Sequence, residues 1–165
     1  MKRFVYIFLL FVGFSSSAQE SLDALLKVYN TQSVPYVSVE ELRRLQLHEE
    51  VIILDAREIE ETNVSMIPTA LHVGYSKFSS EMTSEKIADK KATVVVYCSL
   101  GVRSEEIGEK LQKAGYQNVK NLYGGIFEWK NKGYPVFDAE GKETENVHVC
   151  AKAWGKWLTG GKKVF

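Results

Sequence analysis

The sequence predicts an α/β domain built around a mainly parallel sheet. Two apolar runs, residues 51–54 and 92–97, show no alternation of apolar and polar side chains, which is typical of central strands that are covered on both faces. Segments with helical periodicity alternate with these runs along the chain. That alternation favours parallel strands joined by helices, so we expect helices on both faces of the sheet.

The composition is that of a globular protein and excludes several classes of function. The 165 residues contain 21 Lys and Arg against 21 Asp and Glu, and 45% are apolar, which fits one or at most two domains. Zero formal charge argues against a nucleic-acid binder that relies on bulk positive charge. Two cysteines are too few for a disulfide scaffold or a four-thiolate zinc site. The fold must therefore rest on a packed core.

The first residues have the three-part layout of a secretory signal peptide. Lys2 and Arg3 precede an apolar run, residues 4–14, and small residues then lead up to Ala18. The run is shorter than the about 20 residues that a membrane-spanning helix needs. We therefore expect residues 1–18 to be removed and the mature protein to be exported, periplasmic or extracellular, without stable membrane insertion.

The N-terminal part of the mature chain predicts two helices. Residues 21–30 place leucines and a tyrosine at the i, i+3, i+4, i+7 spacing of an amphipathic helix. A short extended segment, residues 34–37, separates it from a second helix that Ser38 begins. Glu41 lies three residues after Ser38, which completes a capping box. We assign residues 19–33 to an N-terminal helix outside the main domain.

Further along, the chain continues to alternate helix and strand. A weak helix is predicted over 84–90, a clear amphipathic helix over 103–114, a short strand over 119–122 and a last helix from 124 to 129. Residues 34–137 form the predicted domain.

Residues 138–165 are read as a C-terminal extension of that domain. The polar residues 138–146 predict a turn, and Val147 and Val149 suggest a strand edge. Trp154 and Trp157 are expected to cover an apolar patch. The final residues, 160–165, are expected to fray.

Cys98 follows the second apolar run, and a tight loop leads from it into the helix that begins at Arg103. Ligands of open α/β sheets bind beyond the carboxyl ends of parallel strands. Inward-pointing loop amides, the helix N-terminus and Arg103 would all favour the thiolate, so Cys98 is predicted to be a nucleophile. The alternative is a buried structural cysteine. The residues predicted to bind substrate beside it are Ser99, Leu100, Gly101, Val102 and Ser104.

Four separated motifs together resemble those of the rhodanese-like sulfurtransferases. In chain order they are Asp55-Ala56-Arg57, Ile67-Pro68-Thr69-Ala70, the loop from Cys98 through Arg103 to Ser104, and residues 122–126 with Trp129 and Gly133-Tyr134-Pro135. The resemblance covers residues 34–137. It implies a five-stranded, mainly parallel sheet flanked by helices on both faces.

The resemblance also implies sulfur transfer through a persulfide on Cys98. The thiolate would take sulfur from thiosulfate or a low-molecular-weight persulfide and pass it to a thiol or to cyanide, with no cofactor and no metal. Arg103 would brace the loop and stabilise anionic sulfur, and Gly101 would let the loop amides turn inward. Ser99 and Leu100 add no charge, so we expect persulfide donors to be preferred over thiosulfate.

Asp55 and Arg57 have two interpretations. Their position at the end of the first apolar run allows them to bind substrate. Paired charges near a cleft also often hold neighbouring loops together, which would make this pair a scaffold.

Two other functions remain open. A phosphatase or arsenate reductase would also hold an oxyanion over a thiolate, but the four residues between Cys98 and Arg103 form a loop that is tight for phosphate. A non-catalytic binding or redox module is the second alternative, because an exported thiolate can be oxidised.

Cys150 is the only other thiol. It is either a small apolar residue in a strand near Val149 or a residue that resolves a Cys98 persulfide or disulfide, which requires the two sulfurs to lie close together. His48, His72 and His148 show no metal-ligand spacing and are read as surface or packing residues.

Overall fold

The structure is a computed structural model, and it describes residues 21–48 and 51–165. The predicted signal peptide, residues 1–18, lies outside the described residues. The helices are α1 Leu22–Tyr29, α2 Val39–His48, α3 Ile59–Val64, α4 Ser80–Lys86, α5 Arg103–Lys113 and α6 Gly125–Asn131. The strands are β1 Tyr36–Val37, β2 Ile52–Asp55, β3 Leu71–His72, β4 Thr93–Tyr97, β5 Asn118–Leu122, β6 Val136–Phe137, β7 Glu143–Thr144, β8 Asn146–His148 and β9 Lys162–Val164. A 3-10 helix spans Lys152–Trp157.

Five strands form one sheet in the order β1-β5-β4-β2-β3, and every pairing is parallel. The two long apolar runs become β2 and β4, which lie side by side in the interior of this sheet. Parallel strands present their carboxyl ends at one edge. Asp55 ends β2 and Cys98 follows β4, so the two candidate motifs emerge at the same edge.

The sheet is covered on both faces, which confirms the predicted fold class. Val95 and Tyr97 of β4 pack in one apolar cluster with residues of α1, α2, α6 and the C-terminal segment. Val94 and Val96 pack in a second cluster with residues of α5. Because side chains alternate along a strand, the two clusters occupy opposite faces.

Local hydrogen bonds explain where several helices begin. Ser38 Oγ accepts from the Glu41 N–H at 3.1 Å, which is one of the two bonds of the predicted capping box, while the Glu41 carboxylate accepts from Arg44. Ser79 Oγ accepts from the Met82 N–H at 3.1 Å, so α4 begins at residue 80 and ends at 86, earlier than the predicted 84–90. Helix α3 was not predicted, and Glu58 caps it in a capping box with Glu61.

The C-terminal segment is more ordered than expected. The polar residues after Phe137 include β7, which pairs antiparallel with β6. Residues 160–165 do not fray, because β9 pairs in parallel with β8 and Asn131 Oδ1 accepts from the N–H groups of Thr159 and Gly160 at 2.7 and 2.9 Å. Leu158 is buried in the same apolar cluster as Leu26 of α1. Both flanking segments therefore pack onto the core of the sheet.

None of the described helices is long and apolar enough to span a membrane.

Candidate active site

The Cys98 loop connects β4 to α5 at the carboxyl edge of the sheet. The Cys98 side chain is only 2% exposed, and its sulfur accepts a hydrogen bond from the Gly101 N–H at 3.1 Å. Gly101 has φ +109, a backbone conformation that glycine adopts without strain, and this conformation turns its amide toward the sulfur.

The Ser104 hydroxyl lies close to the same sulfur but donates its hydrogen bond to Asn121. Its Oγ is 3.5 Å from Cys98 Sγ and 2.7 Å from Asn121 Oδ1. A hydroxyl has one proton to donate, and the amide oxygen of Asn121 can only accept. Several inward-pointing loop amides were expected. Among the described residues, the Gly101 N–H is the one backbone amide that donates to the sulfur.

Two asparagines and α6 hold the loop in place. The Gly101 carbonyl accepts from the side-chain amides of Asn30 and Asn121, each at 2.8 Å. The Cys98 carbonyl accepts from the Ile126 N–H at 2.9 Å. A Cβ on Gly125 would lie 2.3 Å from that carbonyl oxygen, so the close approach of α6 to the loop requires glycine at this position.

Arg103 is paired with a carboxylate that the sequence analysis did not select. Its Nη1 and Nη2 donate to Glu61 Oε2 and Oε1 at 2.6 and 2.8 Å, and Nη2 also donates to Ser99 Oγ at 3.1 Å. Ser99 Oγ in turn donates to Glu61 Oε1 at 3.1 Å. Arg103 therefore connects the loop residue Ser99 to Glu61, and its charge is largely balanced by Glu61.

The electrostatics of this pair are dominated by burial and mutual attraction. Burial raises the pKa of Glu61, but the hydrogen bonds and charge of Arg103 outweigh it and leave the pKa below its ordinary value. Burial lowers the pKa of Arg103, while its hydrogen bonds to Glu61 and the negative charges that Cys98 and Glu61 carry when ionised together raise it by more. Both groups are therefore charged at neutral pH.

A cavity of about 160 Å³ opens above Cys98. Its lining includes the predicted site residues Leu100, Val102 and Arg103. The lining residues that were not predicted are Tyr29, Trp154 and Cys150. The rings of Tyr29 and Trp154 lie 5.7 Å apart, so α1 and the C-terminal segment complete a largely apolar wall.

Cys150 is an exposed residue on this cavity and does not belong to a strand. Its expected place in a strand near Val149 is therefore wrong. The chain turns sharply there: Cys150 has φ +59, and the Ala151 N–H donates to the Val149 carbonyl at 2.5 Å. The Cys150 N–H donates to His148 Nδ1 at 3.0 Å, which fixes the turn. Strand β8 ends before it, so the thiol is free to face the cavity.

Asp55 and Arg57 lie in the protein interior and do not line the cavity. Both side chains are 0% exposed and are joined by a 2.7 Å ion pair. Arg57 Nη2 also donates to the Ser65 carbonyl at 2.6 Å, and the Tyr97 hydroxyl donates to Asp55. This position fits the scaffold interpretation of the pair and gives a substrate no access to either residue.

The residues that were missed had weak sequence signals. Glu61 lies in an acidic run, which reads as a solvated helix surface, although a buried arginine beside the loop requires a counter-charge. Asn30 and Asn121 act through loop carbonyls, and no local pattern marks such contacts. Tyr29, Trp154 and Cys150 reach the site only through the packing of both chain ends.

The fold and the site together define an α/β domain that presents a cysteine in an amide-bearing loop at a strand-to-helix turn. The profile of the Rhodanese-like domain family matches residues 38–132. The chain therefore belongs to the rhodanese-like domain family, as the four motifs indicated.

The chain is similar to sulfurtransferases and to a tRNA uridine(34) hydroxylase. The chain is 35% identical over 99 residues to a sulfurtransferase of Allochromatium vinosum, covering 60% of this chain and 90% of that protein. It is 34% identical over 90 residues to the thiosulfate sulfurtransferase GlpE of Coxiella burnetii, covering 54% and 80%. It is also 34% identical over 96 residues to a tRNA uridine(34) hydroxylase of Listeria monocytogenes, covering 55% and 30%.

Solved structures show the same fold. The thiosulfate sulfurtransferase of Pseudomonas aeruginosa superposes with a TM-score of 0.60 at 25% identity, covering 73% of this chain and 23% of that one. The rhodanese-like domain of the Anabaena Alr3790 protein superposes with a TM-score of 0.57 at 24% identity, covering 63% and 79%. The second likeness bears on the fold alone.

Proposed function

We propose that the protein is a sulfurtransferase that carries sulfane sulfur as a persulfide on Cys98. The observation that carries this proposal is the Cys98 sulfur itself, which receives the Gly101 N–H and opens into a cavity at the carboxyl edge of the sheet. Two relatives with high coverage of their own length bear sulfurtransferase names, which supports the same reaction class.

In the proposed reaction the Cys98 thiolate attacks the outer sulfur of the donor. The bond between the donor's two sulfurs breaks, and sulfite leaves from thiosulfate or a thiolate leaves from a persulfide. The Gly101 N–H stabilises negative charge on the Cys98 sulfur. A thiol or cyanide then attacks the bound outer sulfur and releases the Cys98 thiolate, so the cycle needs no cofactor.

We further propose that the donor is a low-molecular-weight persulfide rather than thiosulfate. Glu61 balances the charge of Arg103 through two hydrogen bonds, which leaves little net positive charge for a dianion. The other walls are Leu100, Val102, Tyr29 and Trp154. Burying a dianion against such walls is costly, whereas a low-molecular-weight persulfide can place only its two sulfurs against them and keep its charged groups in solvent.

The test of this function is intact mass after incubation with a donor. The protein should gain about 32 Da, the mass of one sulfur bound to the nucleophile, and a Cys98→Ser variant should gain nothing. Steady-state kinetics with glutathione persulfide and with thiosulfate then compare the donors. An unchanged mass with both donors contradicts the proposal, and a strong preference for thiosulfate contradicts its donor assignment.

The phosphatase alternative is disfavoured by what Arg103 contacts. A phosphate-binding arginine frequently donates two parallel N–H bonds to the anion over the cysteine, and such a pair needs at least one Nη atom. Here both Nη atoms donate to Glu61. An assay with a small aryl phosphate should show no turnover.

We also propose that the protein is exported. This rests on the three-part layout of residues 1–18. N-terminal sequencing of protein from the native host should begin at Gln19, and a mature protein that retains Met1 would contradict export by cleavage.

A further inference from the structure

The cavity above Cys98 holds two thiols of opposite accessibility. The Cys98 side chain is 2% exposed, whereas Cys150 is an exposed residue, and both line the same cavity of about 160 Å³. An acceptor larger than a small anion would have to reach Cys98 past Tyr29 and Trp154. A sulfur bound to Cys150 would already be at the surface.

We propose that Cys150 is a second catalytic residue, which takes the sulfane sulfur from the Cys98 persulfide and presents it to the acceptor. This rests on the proposed function, because it requires a persulfide on Cys98. A disulfide between the two cysteines would fit the same observations, and the experiment distinguishes it from the transfer.

The segment that carries Cys150 is fixed over the site by contacts on both sides of the thiol. Before it, the Asn146 carbonyl accepts from Ser65 Oγ at 2.7 Å and Val147 is buried in the main core cluster. After it, Trp154 packs against Tyr29 at 5.7 Å. The thiol is therefore held at the cavity by packing on α1 and α3, and is not on a loose tail.

The backbone at Cys150 is held in a conformation that few non-glycine residues adopt. Its φ of +59 places it in the left-handed region, where the backbone of a non-glycine residue is strained. The three-residue turn between Val149 and Ala151 and the bond to His148 Nδ1 compensate for it. Together with the shared cavity, this conformation shows that the fold fixes the place of this thiol.

The proposed step is a sulfur exchange without net oxidation. The Cys150 thiol releases its proton to water, and its thiolate attacks the outer sulfur of the protonated Cys98 persulfide. The bond between Cys98 Sγ and the outer sulfur breaks, and its electron pair stays on Cys98 Sγ. A new bond joins Cys150 Sγ to the transferred sulfur, so no oxidant or reductant is needed.

The order of the two thiols follows from their surroundings. Partial burial raises the pKa of Cys150, and the positive charge of Arg103 only partly offsets this. Its thiolate fraction at neutral pH is therefore small, which slows direct attack on a free donor. A persulfide held in the same cavity is present at high effective concentration, so the Cys98 persulfide is the better substrate for Cys150.

The test locates the sulfur by peptide mapping. The protein is incubated with glutathione persulfide, quenched at intervals with iodoacetamide and digested. The label is the extra sulfur of about 32 Da on an alkylated cysteine peptide. In the wild type we expect this label first on the Cys98 peptide and then on the Cys150 peptide. In Cys98→Ser the Cys150 peptide should stay unlabelled, and in Cys150→Ser the label should remain on Cys98 while its delivery to a thiol acceptor falls by about tenfold.

A double variant, Cys150→Ser with Ala151→Cys, provides the matched control. It keeps a thiol in the same exposed segment but moves it one residue, and we expect it not to restore delivery. Restoration to the wild-type rate would overturn the proposal, because the place of the thiol would not matter.

The remaining outcomes separate this proposal from the function on which it rests. If no cysteine is labelled in any variant, the sulfurtransferase function itself fails. If Cys98 is labelled and Cys150 never is, only the relay, the proposed transfer of sulfur from Cys98 to Cys150, fails. Labelling of Cys150 in Cys98→Ser at the wild-type rate overturns the relay, and so does a loss of about 2 Da with release of sulfide, because a disulfide has then formed.

Discussion

Two arginine–carboxylate pairs of this domain, an inner pair of Asp55 with Arg57 and an outer pair of Glu61 with Arg103, differ in what surrounds them. Asp55 and Arg57 are both fully buried, and their other contacts are the Tyr97 hydroxyl and the Ser65 carbonyl. Glu61 and Arg103 retain 5% and 18% exposure of their side chains, and Arg103 lines the Cys98 cavity.

An arginine–carboxylate pair near the Cys98 loop can have either of two roles. Burial lowers the pKa of Arg57, but the charge and hydrogen bonds of Asp55 together with the nearby Tyr97 and Glu61 outweigh burial, so the arginine stays charged in the interior. The inner pair therefore holds β2 to the segment at Ser65 and has no route to substrate. The outer pair holds the Cys98 loop, and Glu61 balances the charge of Arg103 at the cavity.

The largest effect should come from breaking the inner pair. Arg57→Met leaves Asp55 buried without its partner, and a broken buried pair costs about 3–5 kcal/mol. We expect the free energy of unfolding, measured by urea denaturation, to fall by that amount.

Arg44→Met is the matched control, because Arg44 also pairs with a carboxylate, Glu41, at 2.9 Å but with both side chains about half exposed. An exposed pair contributes about 0–1 kcal/mol. If Arg57→Met costs no more than Arg44→Met, the inner pair is not the scaffold described here.

Breaking the outer pair should have a smaller effect that depends on pH. Glu61→Gln removes a charge-assisted bond to Arg103, which is worth about 1.5–3 kcal/mol at neutral pH. The pKa of Glu61 is lowered from its ordinary 4.5, so its contribution is fully present above pH 4.5 and is lost as the pH falls through the lowered pKa.

Urea denaturation of the wild type and of Glu61→Gln at a series of pH values checks this. The difference between the two free energies of unfolding should shrink as the solution is acidified below the ordinary pKa of Glu61. A difference that stays constant across this range would show that Glu61 carries the same charge in the folded and unfolded protein.

The sequence was sufficient for the parts of the fold with strong local patterns. Helices α1 and α5 and strands β2, β4 and β5 were predicted to within about two residues at each end, because their apolar side chains repeat at helical spacing or form unbroken runs. The position of Cys98 at a strand-to-helix turn followed from the same patterns.

The parts that were missed depend on contacts between distant residues. Strand β3 has only two residues, and β9 exists because it pairs with β8 across the intervening 3-10 helix. Glu61 is an active-site partner because α3 brings it to Arg103, which is 42 residues away. Local periodicity carries no information about such pairings.

The outer pair should also influence which sulfur donor the protein prefers. In Glu61→Gln the charge of Arg103 is no longer balanced, so the cavity should attract thiosulfate more strongly than before. We expect the ratio of kcat/KM for thiosulfate to kcat/KM for glutathione persulfide to rise by about 3- to 10-fold, which corresponds to roughly 1 kcal/mol of differential binding.

Glu106→Gln provides the control for this ratio. It removes the same charge from α5, where Glu106 accepts from the Tyr75 hydroxyl at 2.7 Å, but it leaves the bonds of Arg103 to Glu61 intact. An equal rise in Glu106→Gln would mean that overall charge, and not the outer pair, sets the donor preference.

The smallest effect should come from Ser99, which ties the outer pair to the loop. Its hydroxyl donates to Glu61 Oε1 and accepts from Arg103 Nη2, each at 3.1 Å. Ser99→Ala removes both bonds but leaves the two direct bonds between Arg103 and Glu61, so we expect a loss of about 0.5–1.5 kcal/mol in the free energy of unfolding.

A double-mutant cycle of Ser99→Ala with Glu61→Gln separates this contribution from a general effect on the loop. If the three side chains act as one network, the two losses should fall short of additivity by about 0.5 kcal/mol or more. Additive losses would mean that Ser99 stabilises the loop independently of the pair. The outer pair would then be joined to the loop through Arg103 alone. Like the inner pair, it would act as an independent ion pair and not as part of a network with the loop.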